Sequence, residues 1–332
     1  MNVLSLFDGR ACCRIALERA GIQVGNYYAS EIDKNAIKVA QANWPDNIQL
    51  GDVTKWQEWG IDWASIDLVT GGFPCQAWSI AGKQLGDKDE RGMLFWTMLD
   101  IMKRVREYNP KAHFLIENVK MKKEFEEYIT HHTEQSLGEV HKILINSALV
   151  SAQNRNRYYW TSFPSTQPED KGVVLAEILE NGGVDQDKSY CIDANYFKGG
   201  NLKSYFEKHR RQLVFCGAMR GRYIVNGKRQ DPRIFTAGLT KQRIEVRYDG
   251  KTNALTTVQK DNNVVYGANG NSYYDLNEIK YRKLTPTECE RLQTVPDNYT
   301  AHVSNTQRYK MLGKGWTVDV IVHLLQCMKQ TL

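Results

Sequence analysis

The chain has 332 residues, of which 42% are hydrophobic and 25% are charged, and its formal net charge is +6 at pH 7. This composition supplies enough apolar side chains for a full core and excludes a disordered chain. The sequence contains neither an apolar run of the roughly 18–20 residues that span a bilayer nor the basic segment of a signal peptide. We therefore expect a cytoplasmic protein without a membrane partner.

Short apolar runs alternate with helical stretches as far as Pro164. The predicted strands are Val3–Phe7, Tyr27–Ser30, Asp67–Thr70, His113–Ile116, Lys142–Asn146 and a run around Gln153–Trp160. The predicted helices between them include Cys12–Ala20, Lys34–Asn43, Met93–Tyr108 and Lys122–His132. This alternation is typical of an α/β fold in which a parallel sheet is connected by crossover helices.

The composition changes after Pro164, where Gly, Asn, Lys and Arg become frequent and Asn226-Gly227 and Asp249-Gly250 signal turns. Helical signals resume at Thr285, and Trp316–Lys329 is apolar with a helical period. We therefore expect a first α/β domain over 1–164, a smaller and irregular β-rich domain over 165–281, and a segment over 282–332 that completes the first domain.

The predicted insert is basic. Between Lys203 and Lys251 there are 13 Lys or Arg residues against 4 Asp or Glu residues. Charge runs are usually solvated surface, but here aromatic residues lie among the basic ones, as on a nucleic-acid-binding face. These aromatic residues are Tyr205, Phe206, Tyr223 and Tyr248.

The seven cysteines are an odd number without CxxC pairs or Cys/His clusters at zinc spacing. Neither a disulfide framework nor a metal site is predicted. Most of these cysteines are expected to be inert thiols in the core, and at most one requires a chemical role.

Asp8 and Glu31 follow the first two predicted strands, and Gly51-Asp52-Val53 ends a further short strand, the third in chain order. Ligands of α/β sheets bind at the carboxyl ends of the strands, where carboxylates accept hydrogen bonds from ribose hydroxyls. The GxGxxG fingerprint of dinucleotide-binding proteins is absent. Each carboxylate alone is as readily explained by capping of a helix or turn, but the three together favour a nucleoside-binding site.

The fourth strand leads into GGFPCQAWSIAG, and the fifth leads into Glu117. A cysteine such as Cys75 in an apolar loop is more often inert than reactive. A carboxyl group at a neighbouring strand end changes this interpretation, because a thiolate can add to carbon 6 of a pyrimidine while the acid assists at ring nitrogen 3. Carbon 5 then becomes nucleophilic toward a sulfonium methyl group.

Further motifs follow in a fixed order: LSLFDG, SEID, GDV, GGFPCQAWSIAG, RGMLFW, IENV, QNRNRYYW, RKLTPTECERLQTVP and LGKGWTVDV. Over nearly its whole length the chain resembles the cytosine-5 DNA methyltransferase family of bacteria and phages. The resemblance implies a Rossmann-like, S-adenosylmethionine-dependent methyltransferase domain, with the target-recognition domain inserted before the C-terminal helices. The N-terminal half also resembles the animal de novo DNA methyltransferases.

The resemblance implies methyl transfer from S-adenosyl-L-methionine to carbon 5 of a flipped-out cytosine in double-stranded DNA. It makes Cys75 the nucleophile and places Glu117 at ring nitrogen 3, with Arg155 and Arg157 contacting the base and the catalytic loop. The implied cofactor residues are Phe7, Asp8, Gly9, Arg10, Ala11, Cys12, Glu31, Ile32, Asp52, Val53, Pro74, Leu94, Lys314, Gly315, Trp316 and Val318. The expected DNA contacts are Gln76, Ser79, Arg220, Arg222, Arg243 and Arg247. A monomer is expected, with a separately encoded restriction endonuclease as its potential partner.

The chain departs from the family pattern at two positions of the cofactor motifs. Cys13 stands where the family usually has Gly, and Lys314 stands where the closing motif usually has Asn. Lys314 is either tolerated, as a basic residue is in the animal enzymes, or favours a cofactor whose transferable group carries a carboxylate. The family's Thr-Leu before the final recognition strands has its nearest match at residues 254–257.

Two alternative functions have different signatures. A tRNA cytosine-5 methyltransferase of the same fold would lack the long insert and would carry a Cys-Phe-Thr tripeptide, which this sequence does not contain. An inactive DNA-binding homologue would lose the reactive residues, whereas Cys75 and Glu117 are present. A small-molecule oxidoreductase would leave the basic insert unexplained.

Overall fold

The computed structural model of the protein describes residues 1–74, 92–215 and 281–331, together with the backbone of strands at 217–225, 228–229 and 240–246. Cys75, Gln76, Ser79, Arg247 and the segment 254–257 lie outside the described residues.

A seven-stranded sheet forms the centre of the fold, in the order β3-β2-β1-β4-β5-β7-β6. Its strands are β1 (Val3–Leu6), β2 (Tyr27–Ser30), β3 (Ile48–Gln49), β4 (Leu68–Gly71), β5 (His113–Val119), β6 (His141–Asn146) and β7 (Asn156–Thr161). Strands β1 to β5 pair in parallel, whereas β7 lies antiparallel between β5 and β6. The predicted α/β sheet is present, but it is mixed and not entirely parallel.

Two strand boundaries differ from the sequence prediction by three residues, whereas β1, β4 and β6 differ from it by one residue at one or both ends. Strand β5 continues to Val119, three residues beyond the predicted end, because Glu117–Val119 pair with β7. Glu117 therefore lies within a strand and not after it. Strand β7 begins at Asn156 and not at Gln153, because the Asn146 side chain and the Ser147 amide bind the backbone of Arg155 in the preceding loop.

The helices are α1 (Cys12–Arg19), α2 (Lys34–Asn43), α3 (Met93–Tyr108), α4 (Lys123–Leu137), α5 (Leu202–Lys208), α6 (Pro286–Leu292), α7 (Asn305–Lys314) and α8 (Val318–Lys329). Helix α2 begins after Asp33, whose carboxylate accepts a hydrogen bond from the amide of Asn35. Helix α6 begins with the capping box of Thr285 and Glu288, as its sequence predicts. Helix α4 extends past the predicted His132 to Leu137 and ends at Gly138, whose φ is 84°.

Both faces of the sheet are covered. Val3 on β1 packs with α1 and α8 through residues such as Ile15 and Ile321. Its neighbour Leu4 belongs to the cluster on the opposite face, which contains Phe95 of α3 and Ile129 of α4. Adjacent residues of a strand point to opposite faces, so a strand buried on both sides is apolar throughout.

The chain after β7 forms smaller layers. Short 3-10 helices at Leu175–Ile178 and Tyr196–Lys198 pack against α6 and α7 through a cluster that includes Leu292 and Leu312. Strands β8 (Leu213–Phe215) and β12 (Tyr281–Lys283) form an antiparallel pair. Strand β9 (Gly217–Val225) pairs with β10 (Lys228–Arg229) and β11 (Thr240–Val246).

Within the described residues, no helix combines the length and apolarity required to cross a membrane. The same part of the chain contains no group of three or more His, Cys, Asp or Glu side chains arranged to hold a metal ion.

Candidate active site

The segment that leads to Cys75 is fixed beside Glu117. After β4 the chain passes through Gly72 and Phe73, and the side-chain amide of Asn118 donates a 3.1 Å hydrogen bond to the carbonyl of Phe73. A Cβ atom on Gly72 would lie 3.0 Å from Nε1 of Trp316 and 3.2 Å from Oε2 of Glu117. The backbone before Cys75 therefore lies so close to the carboxyl group that a side chain at Gly72 would require the indole and the carboxylate to shift. Sequence reasoning did not identify Asn118 and Gly72 as site residues, although they lie in the IENV and GGFPC motifs.

Glu117 is buried and has partners on both carboxylate oxygens. Nε of Arg157 lies 3.0 Å from Oε1, and the indole Nε1 of Trp316 donates to Oε2 at 3.1 Å. Burial raises the pKa of Glu117, while the positive charges of Arg157 and Arg155 and the indole hydrogen bond oppose this rise. The site therefore holds a carboxyl group whose proton is retained to higher pH than usual.

Arg155 has a different orientation from Arg157. Its buried guanidinium donates hydrogen bonds to the carbonyls of Gly313 and Gly315 at 3.2 and 3.0 Å and to the carbonyl of Ile192 at 3.2 Å. The two predicted arginines thus lie near each other, but only Arg157 is within ion-pair distance of Glu117 among the described contacts.

Cys191 is a neighbour of this cluster that the sequence did not single out. Its sulfur lies 3.2 Å from Nη1 of Arg155. Burial of the sulfur acts to raise the pKa of Cys191, but the positive charges of Arg155 and Arg157 outweigh it, and the pKa lies below its ordinary value. No local sequence pattern around Cys191 indicates this position, since its partners are about 35 residues away in the chain.

The turn after β1 has an unusual backbone. Phe7, Gly9 and Ala11 have φ angles of 55°, 62° and 63°, in the left-handed region that side chains other than that of glycine rarely adopt. The amide of Gly9 donates to Oε2 of Glu31 at 2.8 Å, and the amides of Ile32 and Asp33 donate to Oε1 of Glu31. Glu31 thus joins the turn after β1 to the end of β2, and its carboxylate is fixed where a ribose would be expected.

Asp8 lies buried at the base of this turn. The hydroxyl of Tyr27 donates to Oδ1 of Asp8 at 2.6 Å, whereas the buried Oδ2 has no hydrogen-bond partner among the described residues. Burial raises the pKa of Asp8 to about 6. An unsatisfied carboxylate oxygen fits a cationic amino group, such as that of the methionine part of S-adenosylmethionine.

Asp52, the residue predicted to bind the adenine, makes contacts that capping of a helix also explains. Oδ1 of Asp52 accepts hydrogen bonds from the amide and hydroxyl of Thr54, which cap a 3-10 helix over Val53–Glu58 and lower the pKa of Asp52. Capping therefore accounts for this one oxygen. Ile32 is 71% exposed, so a large apolar side chain is available beside Glu31 to cover a flat base.

The remaining predicted cofactor residues fall into two groups. Pro74, Leu94 and Gly315 are partly buried, and Lys314 is exposed at the end of α7. Arg10, Cys12 and Val318 are almost completely buried, and Val318 packs in the cluster shared with α1. Cys12 also belongs to this cluster, whereas the guanidinium of Arg10 binds the backbone carbonyls of Met311 and Trp316.

Three of the expected DNA contacts, Arg220, Arg222 and Arg243, lie on two paired strands, a pairing that their spacing in the sequence does not predict. Strands β9 and β11 pair Arg220 with Arg243 and Arg222 with Lys241. Directly paired residues and residues two apart share one face of an antiparallel ribbon, so all four lie on the same face. The opposite face carries Met219, Gly221 and Tyr223 with their partners Ile244, Gln242 and Thr240.

A mixed seven-stranded sheet in which β7 lies antiparallel between β5 and β6 defines a Rossmann-like methyltransferase fold. A solved structure of a DNMT2 variant from Spodoptera frugiperda shares this fold, with a TM-score of 0.60 at 19% identity over 99% of both chains.

Sequence comparison identifies the family. The model described as C-5 cytosine-specific DNA methylase matches residues 1–330. Type II methyltransferase M1.ScrFI of Lactococcus lactis subsp. cremoris is 31% identical over 100% of this chain and 78% of that protein. Type II methyltransferase M.HpaII of Haemophilus parainfluenzae is 31% identical over 96% of this chain and 86% of that protein. The chain belongs to the C-5 cytosine-specific DNA methylase family, which confirms the resemblance found in the sequence. The protein is a DNA (cytosine-5) methyltransferase.

The raised pKa of Asp8 predicts a pH-dependent change in stability that Asp8→Asn removes. The carboxyl group has a pKa of 3.8 when unfolded and about 6 when folded, so the unfolded state loses its proton first and the free energy of unfolding falls as pH rises from 3.8 to 6. At pH 8 this penalty is about 3 kcal/mol in the protein without cofactor.

Urea unfolding of the wild type and of Asp8→Asn at pH 4 and pH 8 measures this difference. The free energy of unfolding is expected to fall less between pH 4 and pH 8 in Asp8→Asn than in the wild type, because the contribution of Asp8 is missing. The wild-type fall is expected to persist in Asp100→Asn, a control at an exposed position of α3. Equal pH dependence in all three proteins would show that Asp8 does not titrate as described.

Proposed function

We propose that Cys75 and Glu117 carry the methylation of a cytosine that has been flipped out of double-stranded DNA. The observation that supports this proposal best is the buried Glu117, held by Arg157 and Trp316 beside the backbone that leads to Cys75. Extrusion of the base costs on the order of a few kcal/mol of stacking and pairing, and DNA contacts offset this cost.

In the proposed reaction the Cys75 thiolate forms a bond to carbon 6 of cytosine, and Glu117 donates a hydrogen bond or proton to ring nitrogen 3. Electron density then accumulates on carbon 5, which would form a bond to the methyl carbon of the sulfonium as the bond between methyl and sulfur breaks and its electron pair stays on the sulfur of a neutral thioether. Loss of the carbon 5 proton and release of the Cys75 sulfur restore the aromatic ring and the free enzyme. The raised pKa of Glu117 supports its role as the donor, because the carboxyl group must carry its proton when cytosine binds.

We propose S-adenosyl-L-methionine as the cofactor, since the family consists of enzymes that depend on it. When bound, it supplies an activated methyl group on a sulfonium. Asp8 offers its unsatisfied Oδ2 to the amino group, Glu31 accepts the ribose hydroxyls, and Ile32 and Val53 cover the adenine. Trp316 and Gly315 belong to the loop that closes this site.

Double-stranded DNA is the proposed substrate, and residues 165–281 form the proposed recognition domain. Relatives named as type II methyltransferases support a bacterial or phage enzyme that protects DNA against a separately encoded endonuclease, and we propose that it acts as a monomer. The basic face of the ribbon β9–β11 supports contact with the DNA backbone.

The catalytic proposal predicts distinct defects for two substitutions. Cys75→Ser is expected to abolish covalent trapping on an oligonucleotide that contains 5-fluorocytosine, because the bond to carbon 6 is not formed. Glu117→Gln is expected to lower tritium transfer from labelled cofactor to DNA by about 10²–10⁴-fold. Glu127→Gln, an exposed glutamate of α4, is the control.

Tritium transfer to tRNA and not to DNA would replace this proposal with a tRNA methyltransferase. Trapping that persists in Cys75→Ser would exclude Cys75 as the nucleophile. No trapping in the wild type would favour an inactive DNA-binding homologue.

The ribbon predicts a salt-dependent effect on DNA binding. Arg220→Ala and Arg243→Ala are each expected to reduce the slope of log K against log salt by about 1, because each removes one phosphate contact. Gln242→Ala, next to Arg243 on the opposite face of the ribbon, is expected to leave the slope unchanged. Equal slopes for all variants in filter-binding titrations would contradict a role of this face in phosphate binding.

We propose, as a second candidate for the group transferred, that Lys314 permits a cofactor whose transferable group carries a carboxylate. Lys314 is the exposed last residue of α7, two residues before the Trp316 that contacts Glu117. A cation at this position stabilises an additional negative charge in the site.

Lys314→Asn is then expected to lower the rate with a carboxylated analogue, relative to S-adenosylmethionine, by about tenfold, which corresponds to 1.4 kcal/mol. Lys310→Asn, one turn earlier on α7, serves as the matched control. Mass spectrometry of digested DNA from competition reactions gives the ratio. If the ratio of carboxylated to methylated cytosine is unchanged in Lys314→Asn, the proposal of a carboxylated cofactor is wrong.

A further inference from the structure

Two buried arginines hold the segment 311–316, which comprises the end of α7 and the residues before α8 and is termed the closing loop. Arg10, in the turn after β1, donates hydrogen bonds to the carbonyls of Met311 and Trp316 at 2.7 and 3.3 Å. Arg155 donates to the carbonyls of Gly313 and Gly315 between them. Four of the six carbonyls from residue 311 to residue 316 therefore accept hydrogen bonds from guanidinium groups.

The side chain of Arg10 occupies the space that a side chain at position 315 would need. A Cβ atom on Gly315 would lie 1.8 Å from Nη1 of Arg10 and 2.6 Å from its Cζ. The backbone at Gly315 has φ −76° and ψ 173°, which any residue adopts. A side chain at this position would therefore have to displace the buried guanidinium of Arg10, although the backbone conformation itself would accept one.

The charge of Arg10 is also unusual. Arg10 is 1% exposed, and within the described part of the chain no carboxylate lies within ion-pair distance of its guanidinium. The carbonyls at the C-terminal end of α7 carry the negative end of the helix dipole and compensate part of this charge. The hydroxyl of Tyr299 donates to the backbone carbonyl of Arg10 and fixes its position.

Trp316 connects Arg10 with Glu117 through two hydrogen bonds. Arg10 binds the carbonyl of Trp316, and the indole of Trp316 donates to Oε2 of Glu117 at 3.1 Å. The backbone of Gly72 lies close to both groups, since a Cβ atom added there would be 3.0 Å from the indole Nε1 and 3.2 Å from Oε2 of Glu117. A displacement of the closing loop therefore changes the hydrogen bonding of Glu117.

We propose that Arg10 is a positioning residue for Glu117 and that Arg10 and Gly315 are a matched pair, in which each requires the other. The effect on catalysis rests on the proposed role of Glu117, whereas the pairing itself does not. Arg10 binds the backbone carbonyl of Trp316, and the indole of Trp316 donates a hydrogen bond to Glu117. Gly315, which has no side chain, leaves room for the guanidinium of Arg10.

A double-mutant cycle tests the pairing without reference to activity. Gly315→Ala is expected to lower the midpoint of thermal unfolding strongly in the wild-type background, because its methyl group overlaps Arg10. The same substitution in Arg10→Leu is expected to have little further effect, since the guanidinium is gone. Residues in contact show this type of non-additivity. Gly60→Ala, at a glycine with open space around it, is the control.

Additive losses of stability in the two backgrounds would overturn the pairing. A Gly315→Ala protein that fails to fold alone, but folds when combined with Arg10→Leu, would support it.

A pH profile tests the positioning role. The indole hydrogen bond stabilises the carboxylate form, so its loss raises the pKa of Glu117 further. The limb of the kcat profile that depends on Glu117 is expected to move to higher pH in Arg10→Leu, with kcat lowered by about tenfold. Glu117→Gln identifies that limb by removing it.

An unmoved limb in Arg10→Leu, with covalent trapping intact in the wild type, would overturn the positioning role alone. Failure of trapping in the wild type would instead contradict the proposed function and would leave the result of the stability cycle unaffected.

Discussion

The burial of one carboxyl group, that of Glu117, constrains the rest of the site. A buried carboxylate is costly unless charged or polar groups surround it, and here Arg157 and Trp316 supply them. These partners come from β7 and from the loop before α8, so three separate parts of the chain must meet at the end of β5. The pairing of β7 with β5 brings Arg157 to Glu117, and the packing of α7 and α8 brings Trp316 to it.

The antiparallel direction of β7 makes the first of these contacts. The register pairs Arg157 with Val119 and Tyr159 with Glu117. Arg157 is thus the diagonal neighbour of Glu117 on the same face, a distance that a long side chain spans. A parallel strand at this position would require another crossover connection before it could bring an arginine to this edge of the sheet. Arg155 lies just before the strand and is therefore free to turn toward the closing loop.

Much of the fold follows from local patterns in the sequence. Strand β2 and helices α2 and α3 have the predicted boundaries, because their apolar periodicity and caps are contained within each segment. The end of β5 was predicted too early because its last residues become strand only by pairing with β7, about 40 positions away. The role of Asp52 also remained open in the sequence, since capping and ligand binding use the same residue type at the same place.

The contacts of the Arg10 side chain could not be predicted from local sequence patterns. Its position in the turn after β1 suggested contact with the cofactor, but its guanidinium binds carbonyls about 300 residues later in the chain. A residue can lie in a binding motif through its backbone and serve a different part of the site through its side chain. Because the turn with its left-handed Phe7 and Ala11 is held by Glu31, and the closing loop is held by Arg10, the two ends of the proposed cofactor site share one arginine.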